Sequence, residues 1–199
     1  MTNGKCPVSV VIKEVMKHKL KFGLVGAGSI AQAYAQAFAT SDTARLVAIA
    51  DVRVDAARAL AEGVGCPSYD SYQEMAKAEI ELDAVVVCTP PVTHPEISVH
   101  FLERKIHVLC EKPLSIDTAS ARMMLDKAKE NSVTLTMATK FRYVEDVVRA
   151  KSIVTSGILG EIVLVKAIPC AWNMAGQVVE RIGLSLEALG RASVDKQDA

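Results

Sequence analysis

Short, wholly apolar runs recur along this chain, each followed by a longer amphipathic stretch, and that rhythm limits the available folds more than any other feature. Phe22–Gly26, Leu46–Ala50, Ala84–Cys88, Ile106–Cys110 and Val133–Met137 read as strands, with a shorter unit at Pro67–Tyr69. Between them Ser29–Ala39, Val54–Glu62, Ser71–Lys77, Pro95–Arg104 and Asp117–Asn131 carry helical spacing. A strand that is apolar on both sides needs cover on both faces, which parallel sheets obtain from crossover helices. Those crossovers are right-handed. The expectation is an α/β fold with a doubly wound parallel sheet.

The rhythm changes after Thr139. A helix is expected over Val144–Ser156, then Glu161–Ile168 alternates like the first strand of a new sheet. Beyond it the best pattern is a weak amphipathic helix with Val179, Ile182, Leu186 and Leu189 on one stripe. Gly183 and Gly190 weaken that helix.

Charge and cysteine placement exclude several classes of function. The chain has 199 residues, 50% of them hydrophobic, with 23 basic and 23 acidic residues balancing to zero. That balance leaves no electrostatic footprint for nucleic acid or an anionic membrane. The five cysteines, Cys6, Cys66, Cys88, Cys110 and Cys170, lack the spacing of a metal site or redox pair. Cys88 and Cys110 end apolar runs and read as small hydrophobes, the alternative being a reactive thiol. Near the start, Val8–Ile12 is too short for a signal-peptide core or a membrane span. A cytoplasmic protein is expected, with no metal, no nucleic acid and no membrane among its partners.

The first strand runs into Gly26-Ala27-Gly28-Ser29-Ile30-Ala31, a G-x-G-x-x-A pattern opening a helix. Gly26 allows the sharp turn, Gly28 admits a pyrophosphate close to the backbone, and Ala31 keeps the helix near the sheet. Ser29 and Ile30 begin that helix, whose N–H groups and dipole favour phosphate. Asp51, ending the second strand, is placed to accept hydrogen bonds from a ribose diol. Its charge opposes a 2′-phosphate and favours NAD, while Arg53 softens the preference and keeps NADP open. The alternative for the motif is a tight strand–helix turn with an exposed aspartate.

Three more segments follow strand ends: Cys88-Thr-Pro-Pro-Val-Thr-His94, Glu111-Lys-Pro113 and Lys140-Phe-Arg-Tyr143. In this order and spacing the chain resembles the N-terminal half of the Gfo/Idh/MocA oxidoreductases, over roughly Lys21–Ala167. The resemblance implies a Rossmann fold binding NAD or NADP. It places Thr89, Pro90 and His94 along the nicotinamide-ribose half of the cofactor, His94 being alternatively a helix N-terminal residue without ligand contact. It places Lys112 beside the nicotinamide as the catalytic residue, hydrogen-bonded to a substrate hydroxyl. A lysine ending a buried strand is partly desolvated, which suits proton transfer; the alternative is a surface ion pair. Glu111 orients Lys112 or holds the cofactor, and Pro113 fixes the turn, with a cis bond before it as one option. Arg142 matches a family arginine near the cofactor, or serves as a bridge between domains.

The organisation implied is an N-terminal extension over residues 1–18, a dinucleotide-binding domain over 19–138, and a linking helix with a remnant of a second α/β domain over 139–199. Relatives carry a downstream catalytic histidine, whereas the last histidine here is His107. The stretch from Ile168 to Ala199 also leaves the family pattern, so a chain truncated or frameshifted relative to a full-length relative is expected. The leading reading is hydride transfer between nicotinamide and a secondary alcohol of a sugar, cyclitol or similar polyol, in a protein able to form homo-oligomers. A non-catalytic dinucleotide-binding module, and an NAD-assisted glycosidase or lyase, stand beside it.

Overall fold

In a computed structural model, residues 18–164, 167–174 and 177–184 are described. The expected N-terminal extension, His18 apart, lies outside them. Two compact units divide between Thr139 and Lys140.

The first unit is the expected doubly wound sheet. Its strands are β1 (Leu20–Val25), β2 (Ala44–Ala50), β3 (Ser68–Tyr69), β4 (Ala84–Val87), β5 (His107–Cys110) and β6 (Leu135–Met137). Their order across the sheet is β3-β2-β1-β4-β5-β6, and every adjacent pair is parallel. The central strand β4 is wholly apolar because both its faces are covered. All four residues of β4 are buried, and Val85, Val86 and Val87 have no exposed surface.

Helices α1 (Ser29–Ala39) and α2 (Val54–Val64) cover one face, where Ala31, Ala57, Leu60 and Ala61 pack on Leu24, Ile49 and Val86. Helices α3 (Tyr72–Lys77), α4 (His94–Leu102) and α5 (Thr118–Glu130) supply Met75, Ile97, Phe101, Leu102 and Met124 to the opposite core, against Val85, Val87 and Val108. Local chemistry sets where these helices begin and end. Ser71 caps α3 by accepting from the Glu74 N–H at 3.1 Å, and Asp117 caps α5 by accepting from the Ser120 N–H at 2.8 Å. Gly65 stops α2 in the left-handed conformation at φ +79°.

The second unit holds a 3₁₀ turn over Lys140–Tyr143, helix α6 (Glu145–Thr155), and an antiparallel pair of strands, β7 (Ala167–Met174) and β8 (Gln177–Leu184). Helix α6 matches the expected one within a residue at each end. The strand expected at Glu161–Ile168 is displaced: residues 161–164 form no strand, and β7 begins at Ala167. A strand exists where a partner pairs with it, and pairing runs from Ala167 opposite Leu184 to Met174 opposite Gln177. The helical stripe is corrected as well. Val179 and Ile182 lie in β8, consistent with the β-branched run Val178, Val179, Ile182, while Leu186 and Leu189 fall outside the described residues.

Candidate functional site

Strand order reverses between β1 and β4, so chain segments leaving these neighbours part and open a crevice at their carboxyl ends. Gly26 sits at its floor with φ +103°. A side chain there would place Cβ 2.9 Å from the carbonyl carbon and oxygen of Cys88. Glycine is therefore required twice, by the turn and by the close approach of two backbones. The Cys88 thiol donates to the Gly26 carbonyl at 3.1 Å. Burial first, then the nearby carboxylates of Glu111 and Asp51, push that thiol up to about 12, so it stays a neutral donor. Burial likewise pushes Cys110 up to about 11. Both are packing residues, and the reactive-thiol alternative fails for them.

Gly28 differs. Its backbone is extended, and a Cβ added there meets nothing within 4 Å. No protein atom demands glycine here; the open space lies at the N-terminus of α1. That end has no side-chain cap and no acidic residue in its first turn. Uncapped helix N–H groups facing open space form an anion cradle, which fits a dinucleotide pyrophosphate.

Asp51 closes the adjoining side. One carboxylate oxygen accepts the Ala27 N–H at 2.6 Å; the other accepts the Arg53 N–H at 2.7 Å, with the Arg53 guanidinium Nε at 3.5 Å. Burial alone would raise the carboxyl, but these bonds outweigh it and hold Asp51 below the usual carboxylate range. The aspartate is thus ionised, and it ties the glycine loop to the end of β2.

A cleft of about 560 Å³ joins these parts. Its walls include Gly26, Gly28, Ser29 and Ile30 from the loop, Asp51 and Arg53 beyond β2, and Thr89 and Pro90 beyond β4. The structure thereby gathers eight of the sequence-derived site residues into one cleft. Ser71, Tyr72 and Glu96 line it too, and sequence reasoning missed them. The Tyr72 hydroxyl donates to Glu96 at 2.6 Å, and burial together with that carboxylate pushes its phenol up to about 12. Only their position next to a cap and in a first helical turn hinted at a place near strand ends.

The other sequence-derived residues sit elsewhere. His94, the first residue of α4, is 1% exposed and is not part of the cleft wall. Glu111 follows β5; its carboxylate accepts the Tyr34 hydroxyl at 2.8 Å and the Lys112 N–H at 2.9 Å. Tyr34, on α1, was also missed, because nothing in its own helix reveals a partner 77 residues away. Burial, then the Glu111 contact, raise its phenol further still. Lys112 is exposed, so the expected desolvation is not supplied by this unit. The Lys112–Pro113 bond is cis. Arg142 belongs to the second unit, exposed on its 3₁₀ turn. Among the described residues no helix is long and apolar enough to cross a membrane, and no three His, Cys, Asp or Glu side chains cluster as metal ligands.

Comparison with known proteins places this geometry. The Gfo/Idh/MocA family profile, an oxidoreductase family with an NAD-binding Rossmann fold, matches residues 20–139. Glucose-6-phosphate 3-dehydrogenase of Bacillus subtilis is 34% identical over 146 residues, which cover 73% of this chain and 41% of that protein. Inositol 2-dehydrogenase of Rhizobium meliloti is 32% identical over 148 residues, 73% of this chain and 44% of that one. Among solved structures, the WlbA dehydrogenase of Bordetella pertussis in complex with NADH and UDP-GlcNAcA superposes with a TM-score of 0.71 at 29% identity, covering 75% of this chain and 46% of that chain. This chain spans less than half the length of these two curated relatives.

Proposed function

The chain belongs to the Gfo/Idh/MocA family of NAD(P)-dependent oxidoreductases, and from that premise we propose that its crevice takes NAD in preference to NADP and serves hydride exchange with a secondary alcohol of a sugar or cyclitol. The observation that carries the reading is Gly28: its missing side chain serves no contact within the protein, while the adjoining helix end is left open to an anion. NAD, when bound, supplies the hydride acceptor. The rest falls to the chain's own residues. The first turn of α1 offsets the pyrophosphate charge. Asp51, ionised, keeps lone pairs for ribose hydroxyls and repels a 2′-phosphate, and Arg53 is drawn to Asp51 instead of being left for that phosphate. Lys112 holds or moves the proton of the substrate hydroxyl, its backbone N–H fixed by Glu111. Arg142 is assigned a place near the cofactor by family position alone.

Titration of the chain with NADH and NADPH, followed by nicotinamide fluorescence, tests this. Saturable NADH binding at least about tenfold tighter than NADPH supports it, a difference of roughly 1.4 kcal/mol; no saturable binding of either overturns it. A screen of sugars and cyclitols for NAD reduction then tests the alcohol chemistry. The exposed Lys112 favours a second reading, a dinucleotide-binding module without turnover. Binding with no NAD reduction across the screen would select that reading.

A further inference from the structure

The loops leaving β4 and β5 carry different parts of the proposed site. The β4 loop brings Thr89 to the cleft, and the β5 loop carries Glu111 and Lys112. Regular pairing between the strands ends with the Glu111 N–H donating to the Val87 carbonyl at 2.8 Å. Beyond that bond, among the described residues, the side-chain hydrogen bonds that join the loops come from His94. The His94 ring lies between them with Nε2 2.8 Å from the Thr89 carbonyl oxygen and Nδ1 2.9 Å from the Pro113 carbonyl oxygen. Carbonyl oxygens only accept, so the neutral ring donates to one of them and the protonated ring to both. With 1% of its surface exposed, the ring has no water to replace either partner.

Each end of this bridge is itself fixed. The hydroxyl of Thr93, immediately before His94, donates to the Pro90 carbonyl and pairs with the Thr89 hydroxyl, both at 2.8 Å. On the other side the Lys112 N–H is held by Glu111, and Glu111 is held by Tyr34. The backbone of Lys112 is pinned on one side by that carboxylate and on the other, through Pro113, by His94. Its side chain stays free.

We infer that His94 is a positioning residue for Lys112, the link through which the cofactor-lining loop after β4 and the lysine-bearing loop after β5 move as one body. The inference rests on the dinucleotide reading above and assigns His94 a role without cofactor contact. Occupancy of the cleft presses on Thr89, and the imidazole passes that displacement to Pro113 and so to the lysine.

The full chain, with its lysines reductively ¹³C-methylated, tests the link by NMR; the Lys112 signal is identified by its loss in Lys112→Arg. Saturating NADH is expected to shift that signal in the unaltered chain. In His94→Phe, whose ring fills the same space without a nitrogen, NADH still saturates but the Lys112 shift falls to the smaller part that the neighbouring nicotinamide imposes directly. In His94→Gln, which restores one hydrogen bond, part of the shift returns. The glutamine variant carries the comparison alone if phenylalanine prevents folding. A general loss of stability would weaken NADH binding without uncoupling Lys112 at saturation. A full-sized Lys112 shift in the histidine variants at saturation overturns the inference. Failure of the unaltered chain to bind NADH overturns the dinucleotide reading itself, and is recognised before any variant is made.

Discussion

Gly26 and Gly28 stand two residues apart in one loop, yet they are glycines for different reasons. At Gly26 a Cβ would collide with the Cys88 backbone at 2.9 Å, in a conformation side chains rarely adopt. Gly26→Ala is therefore expected to lower the melting temperature, by about 1–3 kcal/mol of stability or more, and to lose NADH binding with it. Gly28→Ala meets no protein atom, so its melting temperature should hold or rise slightly, by up to about 1 kcal/mol, while NADH affinity drops at least about tenfold. Thermal melts paired with fluorescence titrations separate the two; a fall in stability for Gly28→Ala would show that the open space is not kept for a ligand. Both glycines and Asp51 were legible in the sequence because each answers a need of the backbone or of a charge at a fixed offset from a strand. His94 was singled out from the sequence as a cofactor-lining residue, and its ring instead meets the Thr89 and Pro113 carbonyls. Which way an imidazole points depends on Pro113, 19 residues further on, and no local pattern encodes that distance.

Among the elements, the six parallel strands could be read directly, since a wholly apolar run such as Ala84–Cys88 has no stable home except between two layers of helices. The β7–β8 pair could not. Its strands are defined by each other, and the apolar alternation beginning at Glu161 does not say where pairing starts. Helix α5 shows how one cap governs an element. The Asp117 carboxylate accepts the Ser120 N–H first and the Ser120 hydroxyl second, and these bonds hold its carboxyl below the usual range. A lowered pKa in the folded state contributes stability above the ordinary carboxylate value, about pH 4, and loses it as pH falls through the lowered value. The unaltered chain should thus exceed Asp117→Asn in melting temperature by a constant margin from neutral pH to about pH 5, narrowing on further acidification. Melts across that range check the sign, and a margin that widens in acid would contradict the cap.

At the scale of the whole molecule, the division between Thr139 and Lys140 separates a unit built on a six-stranded sheet from one holding α6 and a strand pair. Lys140 and Arg142 are both exposed beside that division. Brief trypsin treatment followed by mass measurement should yield a fragment ending at one of them and still able to bind NADH. Early cuts scattered through the sheet would mean that the first unit does not hold together by itself. The cleft wall gives this division a further meaning. The glycine loop, Asp51 and Thr89 all come from the first unit. In evolutionary terms, the crevice becomes a trait heritable by itself. Recombination can carry it whole from one chain to another without rebuilding its walls.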